Sequence, residues 1–379
     1  MRNIFAGLFA LAILTFAYPV SAAIDITTPA SSAIIMDAET GEILMAKNPD
    51  ERMPTSSMSK TMTAYAVFKA LDEGRIQLSD TLPVSEKAWR KGGSKMFVEV
   101  NSNVSVEDLL KGVIVQSGND ATIVLAEGLA GSEENFARSI TQMAKNIGMK
   151  NTQFKNASGW PDPDHYSTAH DLALLAKHLI DDYPEYYKLF SIEEFTYNDI
   201  KQPNRNPLLY RNMGVDGIKT GHTEAGGYGL MASAERDGRR LILVVNGLDS
   251  SRMRASESAR LIEWGFNSFE KLNLFNAGSD VEKIDVVYGE TKTVPVTVKQ
   301  DVSINLYKPQ EDELKVVVEY QDPVYAPIEE GETVGTLRID APGLETQRYD
   351  LVAKTAVDDL GIFPKVMTKL TYMVLGKHQ

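Results

Sequence analysis

A chain of 379 residues is long enough for a sizeable core and for two domains. Its 43% hydrophobic and 24% charged residues are those of a soluble globular protein, not of a multispanning membrane protein. The formal net charge of -13 speaks against a general nucleic-acid binder, which needs a basic surface, and the lack of cysteine leaves neither disulfides nor thiolate metal ligands to argue from.

In chain order, residues 1–22 read as an export signal: Arg2 gives a positive start, Ile4 to Tyr18 is apolar, and Val20-Ser21-Ala22 offers small residues for cleavage after Ala22 or Ala23. The run is short for a membrane span, and an uncleaved anchor is the alternative. Ala33 to Asp37 and Glu42 to Ala46 are apolar runs around Ala38-Glu39-Thr40-Gly41, the pattern of a β-hairpin. Pro54-Thr55-Ser56-Ser57-Met58-Ser59-Lys60 then leads into a helix-like segment from Thr61 to Leu71. One helical turn separates Ser57 from Lys60, so the lysine amine would stand beside the hydroxyl and could activate it. The same spacing recurs at Ser268 and Lys271, and a helix-capping serine followed by a surface lysine would look no different.

Residues 72–104 read as loops and short strands broken by Gly74, Gly92 and Gly93. Val106 to Val115 and Ala121 to Leu129 are helix-like, with Ser117-Gly118-Asn119-Asp120 as the turn between them. Glu133 to Ile147 is a further amphipathic helix. A long polar loop from Asn151 to Tyr166 follows, and Thr168 opens the next helix, to about Ile180. The β-prone stretch from Gly214 to Gly221 and the hairpin of Tyr228 to Glu235 with Arg240 to Leu248, turned by Asp237-Gly238, precede a helix from Arg252 to Phe266. Strands at both ends with helices between them predict an α+β domain with one antiparallel sheet. From about residue 275 the runs at Ile284, Thr291, Val302, Lys315, Thr333 and Gln347 predict a small all-β domain. The expected division is 1–22, 23–270, 275–357 and a final amphipathic helix at 361–379. In that helix Phe363, Val366, Met367, Leu370, Met373 and Val374 share one face, which suits an anionic membrane surface; packing on the β domain is the alternative.

Three motifs then fall in a fixed order: Ser57-x-x-Lys60, Ser117-Gly118-Asn119 and Lys219-Thr220-Gly221. Each is weak alone, and Ser303-Ile304-Asn305 also fits the second. Together they resemble the exported D-alanyl-D-alanine carboxypeptidases, the low-molecular-mass penicillin-binding proteins. The likeness runs from about 30 to 266 and includes the Asp37 to Gly41 turn, the Gln116 to Ala121 stretch, the Asn156 to Asp164 loop and Asp216 to Thr223. One departure is that two residues, Thr55 and Ser56, stand between Pro54 and the serine where one is expected; of Ser56, Ser57 and Ser59, only Ser57 has a lysine three positions on.

The resemblance implies a β-lactamase/transpeptidase-like fold and removal of the terminal D-alanine from peptidoglycan stem pentapeptides through an acyl-enzyme, with β-lactams as covalent inhibitors. Carried over residue by residue, it makes Ser57 the nucleophile, Lys60 its base and Ser117 a proton relay. Asn119, Lys219, Thr220, Gly221, His222 and Arg254 become substrate-binding, His222 and Ser57 through their backbone N–H groups. It implies no cofactor and no nucleic-acid partner, and a place on the periplasmic face of the bacterial inner membrane. His222 invites a metal or a Ser-His-Asp triad, but the chain has no His-Glu-x-x-His motif and Lys60 already supplies a base. A β-lactamase is the nearest rival and would need a deacylating carboxylate, yet no Glu-x-x-x-Asn element stands in the 150–170 loop. An endopeptidase acting on cross-links would use the same residues, and an idle peptidoglycan scaffold would not need them intact.

Overall fold

The computed structural model describes residues 26–361. The expected export signal lies outside them, as does the expected terminal helix apart from Gly361.

Every residue of β1 (Ser32–Asp37) is buried, because the strand is sandwiched between two layers. Side chains alternate across it. Ile34 and Met36 join a core with Met62, Phe68 and Ile242, whereas Ala33 and Ile35 join another with Leu243, Leu261 and Ile262. The turn to β2 (Ile43–Lys47) is held by the Asp37 carboxylate, which accepts from the amides of Glu39 and Thr40 and from the Thr40 hydroxyl. With β3 (Val215–Thr223), β4 (Gly227–Arg236) and β5 (Arg239–Leu248) these strands form one antiparallel sheet in the order β2-β1-β5-β4-β3. The expected Asp237-Gly238 turn joins β4 to β5, with φ of 50° and 78° at its two residues. In this order β3 is an edge strand.

The layer on the first face holds α1 (Lys60–Asp72), α2 (Val106–Ile114), α3 (Asn119–Ala130), α4 (Glu133–Asn146) and α5 (Ala169–Asp182). Serine or threonine hydroxyls of Ser105, Ser132 and Thr168 cap three of these helices. Helix α1 is buried nearly all round, as a central helix must be, and small residues such as Ala64 and Ala66 let its neighbours close in. Helix α6 (Ser251–Ser268), capped by Ser250, covers the other face. The architecture is the expected α+β class.

Four elements differ from the sequence reading. Asn119 and Asp120 belong to the first turn of α3 and not to the turn before it, because Gly118 takes the cap position. Glu86–Arg90 is a short helix capped by Ser85. Glu194–Tyr197 and Ile200–Pro203 form a hairpin turned at Asn198-Asp199, both at positive φ. Phe269–Phe275 is a strand that crosses the expected end of the first domain at 270 and pairs with Val302–Tyr307. The remaining strands, from Asp280 onward, make a six-stranded sheet over a core of Ile284, Val296, Leu337 and Leu351.

Candidate active site

The residues Ser56–Ser59 form a single tight 3-10 turn leading into α1. Ser56 holds a φ of 50°, a conformation that disfavours a side chain, and Ser57 follows it, half-buried. Lys60 opens α1 and is only 1% exposed. Its Nζ lies 2.9 Å from Ser57 Oγ and donates to the Ser158 carbonyl at 2.7 Å. Lys60 is therefore no surface lysine. Neither Ser56 nor Ser57 caps the helix, since the cap position is Ser59 and its side chain makes no capping bond. The second Ser-x-x-Lys match is elsewhere: Ser268 ends α6 and Lys271 is ion-paired with Glu39.

Burial pushes the Lys60 amine down to about 7, the positive charges of Arg205 and Lys91 push the same way, and Asp120 opposes them. Lys219, 2% exposed, is held well below the usual lysine range, first by burial and then by Lys60, Arg205 and Arg254. Two buried amines that repel each other favour a state in which they do not both carry a proton.

Lys219, Thr220, Gly221 and His222 sit on β3, paired with Met231, Leu230, Gly229 and Tyr228 of β4. Among the described residues the strand's other edge has no strand partner, and it runs past the Ser56–Ser59 turn. A Cβ on Gly221 would come within 2.9 Å of the Thr55 carbonyl oxygen and 3.1 Å of Met58 Cγ, so only glycine lets strand and turn approach this closely. The His222 ring stacks on Tyr228 with centroids 3.9 Å apart. Arg254 stands over the same Tyr228 ring, and its Nε is buried without a hydrogen-bond partner among the described residues.

Ser117 is buried with a φ of 59°. Among the described residues no hydrogen bond joins it to Ser57 or Lys60. Its turn is fixed by Asp120, whose carboxylate accepts from the amides of Met96, Phe97 and Val98 at 3.0, 2.9 and 3.3 Å. Asn119 Nδ2 donates to the Gly92 carbonyl at 2.8 Å. Motif reading missed Asp120, Arg205 and the Ser158 carbonyl. Asp120 follows the Ser-x-Asn motif directly and could have been suspected, whereas nothing in the local sequence marks Arg205. Among the described residues no group of three or more His, Asp or Glu side chains is placed to hold a metal ion.

A family model described as D-alanyl-D-alanine carboxypeptidase matches residues 19–250, more than half of the chain. The chain belongs to this family. A second model, described as the penicillin-binding protein 5 C-terminal domain, matches residues 269–359. The D-alanyl-D-alanine carboxypeptidase DacA of Haemophilus influenzae is 39% identical over 92% of this chain and 90% of its own. DacC of Escherichia coli is 39% identical over 88% and 85%. Among solved structures, penicillin binding protein 5 from Haemophilus influenzae covers 88% of this chain and 100% of its own, with a TM-score of 0.77 at 39% identity. The resemblance drawn from the three motifs thus holds for the family, the fold class and the enzyme class, a carboxypeptidase of the penicillin-binding kind.

Proposed function

We propose that Ser57 is the nucleophile of a peptidoglycan D-alanyl-D-alanine carboxypeptidase and Lys60 its general base. The observation that carries this is the 2.9 Å approach of Lys60 Nζ to Ser57 Oγ by an amine held down to about 7. A neutral Lys60 takes the Ser57 proton as Oγ attacks the carbonyl carbon of the penultimate D-alanine. The amide C–N bond breaks, a proton relayed through Ser117 goes to the leaving nitrogen, and D-alanine departs. Water then hydrolyses the ester and restores the Ser57 hydroxyl.

The unpaired edge of β3 suits a substrate backbone lying alongside it as an added strand. Asn119 holds a substrate amide, and Thr220 and Arg254 take the terminal carboxylate. The buried Nε of Arg254, which lacks a partner among the described residues, supports that role. Lys219 disfavours a charged Lys60 by repulsion. The backbone N–H groups of Ser57 and His222 form the oxyanion hole, where losing one donor costs about 100-fold or more in rate. β-Lactams acylate the same serine; a solved relative, penicillin-binding protein D2 from Listeria monocytogenes in an ampicillin-bound form, has a TM-score of 0.58 at 32% identity, which supports this.

We place the enzyme outside the cell, on the periplasmic face of the inner membrane, exported by residues 1–22 and attached through 361–379. No helix among the described residues is long and apolar enough to cross a membrane. The deciding experiment incubates the protein with labelled penicillin and with a pentapeptide ending in D-Ala-D-Ala. Wild type should take up label and release D-alanine, and Ser57→Ala should do neither. Persistence of both in Ser57→Ala would refute the assignment. Deleting residues 361–379 should free the protein from anionic vesicles, and unchanged co-sedimentation would refute the attachment.

A further inference from the structure

We propose that Thr63 and Asn156 are positioning residues for the base: they hold the Ser158 carbonyl where it takes one hydrogen of the neutral Lys60 amine and so turns the amine's lone pair toward Ser57. This rests on the reading of Ser57 as nucleophile and Lys60 as base.

A neutral primary amine carries two N–H bonds and one lone pair in tetrahedral directions, and only the orientation with the lone pair on the Ser57 hydroxyl can accept its proton. The Ser158 carbonyl, 2.7 Å from Lys60 Nζ, claims one N–H. Two directions are then left to the lone pair, and Ser57 Oγ lies 2.9 Å away. The same carbonyl stabilises the ammonium that forms when the proton arrives. Its placement therefore bears on the chemical step itself.

Ala157 and Ser158 are 0% and 1% exposed, and each of their four backbone polar groups is bonded to a side chain. The Ala157 amide donates to the buried Glu133 at 3.2 Å, and the Ala157 carbonyl accepts from Thr63 Oγ1 at 2.7 Å. The Ser158 amide donates to Asn156 Oδ1 at 3.1 Å, and the Ser158 carbonyl is the one that accepts from Lys60. Thr63 stands three residues after Lys60 on α1, on the same face one turn along, so a single helix grips two consecutive carbonyls. Two consecutive carbonyls face one helix only where the chain is turned. Asn156 makes that turn: its Oδ1 also collects the amides of Gly159 and Trp160 at 2.9 Å each, and its Nδ2 donates to the Trp160 carbonyl at 2.9 Å.

The test compares second-order rates of penicillin acylation in wild type, Thr63→Val, Lys60→Arg and the double variant, with thermal midpoints to report folding. Valine keeps the shape of threonine and removes the donor to the Ala157 carbonyl. Thr63→Val should slow acylation about tenfold, the effect of a reacting group held slightly out of line. Thr63→Ser, which restores the hydroxyl, should recover most of that loss. In the Lys60→Arg background, which has no lone pair to direct, Thr63→Val should cost less than about twofold. Asn156→Ala, made in both backgrounds, should repeat the pattern from the loop side, and it decides the matter if Thr63→Val does not fold. An equal loss in both backgrounds, or none in either, overturns the positioning role alone. Acylation of Lys60→Arg at the wild-type rate overturns the parent reading instead.

Discussion

His165 Nε2 lies 2.8 Å from Ser59 Oγ, and Ser59 Oγ lies 2.6 Å from Thr55 Oγ1, so the 151–166 loop is tied through side chains to the turn that carries Ser57. The Lys155 amide donates to His165 Nδ1 at 3.2 Å, which puts the ring hydrogen on Nε2. Nε2–H therefore donates to Ser59, whose hydroxyl is also hydrogen-bonded to that of Thr55. Burial pushes this imidazole from 6.5 down to about 4, with Lys60 adding to the effect and Asp162 opposing it. The unfolded chain then binds a proton that the folded one refuses. Stability is fully present above about 6.5 and is lost as pH falls towards 4. His165→Ala should lower both the thermal midpoint and the rate of penicillin acylation. His165→Gln, whose amide can donate to Ser59 and accept from Lys155, should retain most of the acylation rate while flattening the acid limb of stability. Melts between pH 4 and 7 together with acylation rates check both.

The pH profile of acylation tests the base itself. With Lys60 held down to about 7, the second-order rate with penicillin should rise with pH through that value and level off above it, because only the neutral amine accepts the Ser57 proton. Lys60→Arg, always protonated, should lose about 100-fold or more across the whole range. Arg205→Ala removes a cation that pushes the Lys60 amine down, so Lys60 should hold its proton more firmly and the ascending limb should move to higher pH. The position of the limb, not its height, is the quantity to measure, since Arg205 also bonds Ser94.

What the sequence made legible were relationships within a few residues: the Asp37 to Gly41 turn, the Thr168 cap, and the one-turn spacing of Ser57 and Lys60. The Asn198-Asp199 hairpin also carries a local turn signal, two adjacent residues that tolerate positive φ. What could not be read were properties set by distant chain. The burial of Lys60 depends on the Ser158 carbonyl, 98 residues away. The pairing of β1 with β5 brings Ile34 against Val244, a register that no local pattern specifies. Arg205 acts on both site lysines through space alone.

Gly159 shows how close that long-range packing is. Its φ is +77°, and a Cβ there would lie 1.7 Å from the Ser56 carbonyl oxygen and 3.0 Å from Ser59 Oγ. Gly159→Ala must displace the Ser57 turn or the neighbouring Ser158 carbonyl that holds Lys60. Acylation should fall about 100-fold, the loss expected when reacting groups are misplaced by an ångström. Gly74→Ala is the control: its φ is +67° but nothing lies within 4 Å, so it should cost about 1 kcal/mol of stability and leave acylation unchanged.

Asn305, which matched the Ser-x-Asn pattern by accident, has a structural task far from Ser57. It is 0% exposed, and its Nδ2 donates to Glu42 at 2.6 Å while its Oδ1 accepts from Arg239 at 2.8 Å. Arg239 in turn reaches the buried Asp37, and Gln347 Nε2 also donates to Glu42. The strand Val302–Tyr307 is thereby locked to the β1–β2 turn by partly buried polar groups. Asn305→Ala should leave Arg239 and Glu42 each short of a partner and cost about 1–2 kcal/mol, the loss of hydrogen bonds to charged groups that keep other partners. Because the lock joins two separate cores, the variant should also melt in two resolved steps where wild type melts in one. Penicillin acylation at 25 °C should not change; calorimetry and labelling on the same sample check both, and a single unshifted transition would show that the contact does not couple the two cores.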